Sequence, residues 1–115
     1  MARHKLENEL IAIEVEEHGA ELKSLVRKNT GKEYMWKADP KFWGRTSPVL
    51  FPYIGAVPET VTIHSVDYKI PRHGFVKDAE FEVAEKGDDY VILSTGTNDY
   101  TTSVYPYDFR FTVTF

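Results

Sequence analysis

Apolar and β-branched positions alternate with polar ones in short runs, and each run ends in a turn signal. Leu10-Ile11-Ala12-Ile13-Glu14-Val15-Glu16 alternates in part and predicts a strand over residues 9–16. His18-Gly19-Ala20 predicts a turn. Residues 21–27 predict a second strand, with Leu22 and either Leu25 or Val26 facing inward. Ala20-Glu21-Leu22-Lys23-Ser24-Leu25 also suits a helix, and that alternative stays open on pattern alone. Asn29-Thr30-Gly31 is a strong turn signal, so residues 33–36 read as a third strand closing a hairpin over 21–36. Further along, 60–63 and 68–70 read as a hairpin around His64-Ser65. Residues 80–85, 90–95 and 109–115 read as strands, with Lys86-Gly87-Asp88-Asp89 a tight turn. The last run alternates strongly at Phe109, Phe111, Val113 and Phe115. No long helix is predicted. The pattern implies an all-β fold, an antiparallel β-sandwich of about seven to nine strands.

Between these runs, Asp39-Pro40 opens an irregular stretch. Pro48, Pro52 and Pro58 keep regular structure out of much of 38–59. Long ordered loops tend to be functional. Residues 42–52 hold Phe42, Trp43, Gly44, Arg45, Pro48, Phe51 and Pro52, and Pro71-Arg72-His73-Gly74-Phe75 follows downstream. Aromatic rings, a guanidinium and an imidazole are what a sugar surface needs: rings cover the C–H faces of a pyranose, and polar groups bind its hydroxyls.

Composition narrows the field. The chain has 115 residues, which predicts one domain over 1–115. Aromatic residues make up 14%, in keeping with a β-rich fold. The net charge is -4 and no basic stripe emerges, so nucleic acid is not an expected partner. There is no cysteine, which excludes disulfides and thiolate metal sites and is compatible with a reducing compartment. The first nine residues are charged and lack a signal-peptide apolar run, and no stretch has the length of a membrane span. Cytoplasmic localisation without membrane association is the expectation.

Several blocks, taken in order, resemble bacterial aldose 1-epimerase-like proteins. They are His18-Gly19-Ala20-Glu21-Leu22-Lys23-Ser24-Leu25, Gly31-Lys32-Glu33-Tyr34-Met35-Trp36, the 42–52 block, His73-Gly74-Phe75, Glu80-Phe81-Glu82-Val83 and Tyr105-Pro106-Tyr107-Asp108-Phe109. The resemblance covers nearly the whole chain. It implies part of the galactose mutarotase-like supersandwich, and an activity that interconverts the α and β anomers of a free sugar. In that chemistry a carboxylate takes the anomeric proton and a histidine protonates the ring oxygen, with no cofactor and no metal. His73 matches the histidine of the family's His-Gly motif. Arg45 resembles an arginine that holds substrate in related hexose-phosphate epimerases. Trp43 joins them as a candidate substrate-binding residue.

Three departures accompany the match. Gly55 is followed by Ala56 where the family has Gly-Arg. His64-Ser65 replaces an Asp-Gly turn. The family's second catalytic histidine and glutamate base have no counterpart, so the resemblance implies binding of a monosaccharide without turnover. A natural domain, an excised fragment and an engineered half-sandwich all read this way. The alternative is a structural or engineered β-domain with no ligand, self-associating as a homodimer through the C-terminal edge strand.

Plainer roles stand beside these. Trp36 and Trp43 read as core or semi-buried packing, with an indole N–H that needs a partner. Arg45 reads equally well as a surface partner of Asp39 or Glu59. Asp78 and Glu80 would share a strand face, where repulsion would raise one carboxyl, although a solvated charged face is the simpler reading. His4, His18 and His64 are too scattered for a metal site.

Overall fold

The computed structural model describes residues 2–56 and 58–115; Val57, inside the proline-rich stretch, lies outside the described residues. Nine strands are present among them, all paired antiparallel. The first sheet has the order β1-β2-β3-β4, with β1 at Arg3–Glu7, β2 at Ile11–Glu16, β3 at Glu21–Arg27 and β4 at Lys32–Glu33. A two-stranded hairpin pairs β5 (Val61–Ile63) with β6 (Val66–Tyr68). The third sheet has the order β7-β8-β9, with β7 at Glu82–Lys86, β8 at Val91–Gly96 and β9 at Arg110–Thr114. A six-residue helix, α1 (Asp99–Val104), joins β8 to β9.

The two larger sheets close over one core. Leu6 and Val15 come from the first sheet, Val91 and Leu93 from the third, and Phe75, Val76 and Phe81 from the segment between. Val15, Val76, Val91 and Leu93 are fully buried, each stabilising the fold by about 1.5–3 kcal/mol relative to exposure. The all-β antiparallel expectation is therefore met.

Differences from the sequence pattern have local causes. Strand β1 went unpredicted because Leu6 is the only strongly apolar residue in Arg-His-Lys-Leu-Glu; it forms because Leu6 pairs with Ile13 and its side chain is buried. The 21–27 run is a strand, since pairing with β2 overrides its local helix compatibility. Strand β4 stops at Glu33 rather than reaching Trp36. The Glu33 carboxylate folds back and accepts from the Leu25, Tyr34 and Met35 N–H groups at 2.8, 3.0 and 3.2 Å; Tyr34 N still reaches the Leu25 carbonyl at 2.9 Å, but Leu25 N, which a longer ladder would use, is diverted to the carboxylate. Strand β6 begins two residues earlier than expected. The turn it leaves has His64 and Ser65 at φ 49° and 65°, the left-handed pair that an Asp-Gly turn adopts more readily. Helix α1 was missed as well. Asn98 Oδ1 accepts from Thr101 N at 2.9 Å while Thr101 Oγ1 accepts from Asn98 N at 3.0 Å, and this reciprocal cap starts it.

The irregular expectation for 38–59 holds among its described residues: no strand forms there, and Phe51 makes only an isolated bridge to Gly74.

Candidate functional site

Two irregular segments run side by side. Arg45 lies against Lys77 and Asp78, Phe51 against Gly74–Val76, and Gly55 against His73. The Phe51 carbonyl accepts from Phe75 N at 2.9 Å and from Val76 N at 3.3 Å. The sequence blocks 42–52 and 71–75 thus meet in space, as a shared site requires.

His73 sits in a turn. Its φ is 62°, in the left-handed region, which costs a non-glycine residue about 1–2 kcal/mol. Strain of this kind persists only where the surroundings enforce it. Here His73 N donates to the Gly55 carbonyl at 3.0 Å, and Gly55 N donates to His73 Nδ1 at 2.7 Å. A ring nitrogen that accepts from an amide carries no proton, so the neutral imidazole holds its proton on Nε2. The backbone thereby presents His73 as an Nε2–H donor.

Arg45 finds neither Asp39 nor Glu59. Its Nη2 donates to Asp78 Oδ1 at 2.7 Å and its Nη1 to the Lys77 carbonyl at 3.4 Å. Lys77 Nζ lies 3.2 Å from Asp78 Oδ2 and donates to the Gly74 carbonyl at 3.0 Å. His18 Nδ1 stands 2.5 Å from Glu80 Oε1, while its Nε2 is 3.9 Å from Asp78 Oδ1. Asp78 and Glu80 do not share a strand face, because Asp78 ends a short 3-10 turn. Nor is Asp78 raised: burial pushes its carboxyl up, but hydrogen bonds and charge from Arg45 and Lys77 outweigh that and leave it below the ordinary value.

Trp43 and Arg45 line an open cleft of about 400 Å³ together with His18, Lys23 and Asp78. His73 is not among its lining residues, so the structure joins Trp43 to Arg45 and places His73 at the far end of the segment pair. Both tryptophans are more exposed than a core reading demands, Trp36 at 38% and Trp43 at 49%. The indole partner is found: Trp36 Nε1 donates to the Trp43 carbonyl at 2.7 Å.

The floor of the cleft holds a residue that the pattern did not single out. Glu21 is 2% exposed. Its Oε1 accepts from Thr46 N at 2.6 Å and Ser47 N at 2.9 Å, with Lys23 Nζ 3.5 Å away. Burial pushes the carboxyl up, but the Thr46 and Ser47 amides, the Thr46 hydroxyl and Lys23 together hold it below the usual range. A carboxyl lowered on folding stabilises the fold above its unfolded value, about 4.3 for Glu, and loses that contribution as pH falls through the folded value. Stability is therefore expected to drop as the pH falls below about 4. Glu21→Gln is expected to flatten part of that drop, as read from urea midpoints across pH.

No helix among the described residues is long and apolar enough to cross a membrane. Among the same residues no group of three His, Asp or Glu side chains is arranged to hold a metal ion.

The sequence model of the family described as aldose 1-epimerase matches residues 3–115. Two LacX proteins of Lactococcus lactis subsp. lactis, plasmid and chromosomal, are each 32% identical to the chain, covering 96% of it and 39% of the relative. A galactose mutarotase related enzyme from Lactobacillus acidophilus superposes with a TM-score of 0.96 at 35% identity, covering 98% of this chain and 38% of that one. A galactose mutarotase-like protein from Lactobacillus casei gives 0.95 at 34%, covering 98% and 39%. The chain thus spans under two-fifths of the length of these relatives.

Proposed function

The chain belongs to the aldose 1-epimerase family, and from that membership we propose that residues 42–55 and 72–78 form a carbohydrate-binding surface for an uncharged monosaccharide. His73 carries the reading. Its backbone is strained, its Nδ1 is occupied by Gly55 N–H, and its Nε2–H is left as a fixed donor for a sugar oxygen. Solved relatives named for galactose mutarotase point to free hexoses such as galactose.

Charge favours an uncharged ligand over a phosphorylated one. Arg45 is already paired with Asp78, and Lys23 stands 3.6 Å from Glu16 and 3.5 Å from Glu21. An anionic sugar would have to displace these carboxylates.

Binding is proposed without anomeric turnover. A general base for this reaction works best with a pKa near the operating pH. Glu21 and Asp78 are both pushed the other way. No carboxylate hydrogen-bonds to His73 among the described residues.

In an amide-shift titration with galactose, signals from 43–55 and 72–76 are expected to move, and His73→Ala is expected to abolish most of the response. Polarimetry is expected to give a mutarotation rate equal to the buffer background. Unmoved amides at high sugar would remove the binding proposal, and a rate above background would remove the claim of no turnover. One observation favours a second reading, a structural β-domain without a ligand: Arg45 is already paired with Asp78 and the Lys77 carbonyl within the chain. Silent amides in this titration are its signature.

A further inference from the structure

We infer that Glu21 is the positioning residue of the Trp43–Arg45 wall: its buried carboxylate holds the Thr46–Ser47 backbone against β3 and so sets where the indole and the guanidinium stand. The inference rests on the carbohydrate reading above and gives a role to a residue outside the candidate substrate-binding set of Trp43, Arg45 and His73.

Two successive amides, Thr46 N and Ser47 N, converge on a single oxygen, Glu21 Oε1, at 2.6 and 2.9 Å. The Thr46 hydroxyl lies 2.9 Å from the same oxygen and 2.7 Å from the Leu22 carbonyl, and donates to one of them at a time. Ser47 Oγ donates to the Leu22 carbonyl at 2.9 Å. Residues 46–47 are therefore stapled to the start of β3 by a charged acceptor and a backbone carbonyl. Hydrogen bonds to an ionised acceptor are shorter and stronger than neutral ones. Arg45 directly precedes the staple and points to Asp78, while Trp43 lies two residues further back. With irregular backbone from 38 to 56, no sheet ladder fixes this wall; the Glu21 carboxylate does that work.

A uniformly structural glutamate would affect stability alone. A positioning role couples sugar affinity to the charge on Glu21, and that coupling is the distinguishing readout. In wild type, the Thr46 and Ser47 amide signals are expected to move together as Glu21 titrates in acid, and galactose affinity is expected to fall with the same midpoint while the chain remains folded. In Glu21→Gln, galactose binding is expected to weaken by about tenfold, the scale of exchanging an ionised acceptor for a neutral one in these hydrogen bonds. The part of the acid dependence that follows the Thr46 and Ser47 amides should vanish with it, leaving the part set by Asp78, which holds Arg45. The wild-type titration needs no variant, so a misfolded Glu21→Gln chain leaves the test intact. Wild-type binding that does not follow the Thr46 and Ser47 amides through the Glu21 titration, or unchanged affinity in a folded Glu21→Gln chain, would overturn this inference and leave the carbohydrate reading standing. Absence of any galactose response in wild type, with Thr46 and Ser47 still titrating, would overturn the carbohydrate reading and the positioning role with it.

Discussion

Gly74→Ala is expected to cost about 4 kcal/mol or more, at the exceptional end for a single substitution. Gly74 has a φ of 77°, and a β-carbon there would stand 2.0 Å from the Phe51 carbonyl oxygen, 2.3 Å from its carbon and 2.6 Å from Pro52 N. All three are backbone atoms, so no rotamer change relieves the overlap. Moving Phe51 away would break the bonds its oxygen accepts from Phe75 N and Val76 N. Left-handed strain adds about 1 kcal/mol for any L side chain. Since small domains are stable by only about 5–15 kcal/mol, the urea midpoint should collapse. Gly31 supplies the control. Its φ is 71°, but nothing lies within 4 Å of an added β-carbon, so Gly31→Ala should lose only about 1 kcal/mol. Equal losses at the two positions would show that the contact with Phe51 does not decide the choice of glycine.

Phe75→Ala is expected to lose about 3–5 kcal/mol, the range for deleting a buried phenyl ring. The ring is 4% exposed. Its centroid lies 5.6 Å from Phe109, 6.0 Å from Tyr105 and 6.3 Å from both Phe51 and Tyr100. These partners come from the irregular 42–52 block, from α1 and from the approach to β9, so one side chain joins three parts of the molecule. Truncation would leave a cavity that the surrounding rings, held by their own contacts, cannot fill. Phe75→Leu keeps most of the volume and should lose much less. Thermal unfolding of the pair checks this, and a loss below about 1.5 kcal/mol for the alanine variant would mean that the aromatic cluster collapses around the gap. Because Phe75 follows His73 by two residues, the alanine variant should also blur the His73 geometry.

Much of this architecture was legible because it is written locally. Strand β2 alternates, the turns at Asn29-Thr30-Gly31 and His64-Ser65 carry their own signals, and β9 spaces Phe111 and Val113 on one face. The meeting of 42–52 with 71–75 was legible only through family resemblance, since nothing in the spacing requires Phe51 to bridge Gly74. Other features depend on distant partners. Strand β1 has one apolar anchor and forms through its register with β2. Arg45 pairs with Asp78, 33 residues away, rather than with the nearer acids Asp39 and Glu59. Glu21 reads locally as an exposed strand or helix position; its burial depends on donors 25 and 26 residues downstream. The signal that could have found it is weak: a glutamate at a strand start, and a Thr-Ser pair in a proline-rich loop that needs an anchor. The lowered carboxyl of Asp78 was likewise hidden, because two cations reach it from separate positions.

In the proposed site, His73 offers its Nε2–H to a sugar oxygen while Gly55 holds Nδ1. Long-range nitrogen–proton correlation of the imidazole, recorded at neutral pH with and without galactose, reads this directly. The expected result is an unprotonated Nδ1 accepting from Gly55, a protonated Nε2, and a galactose-induced shift confined to Nε2. A proton on Nδ1, or an imidazole spectrum unchanged by saturating galactose, would contradict it.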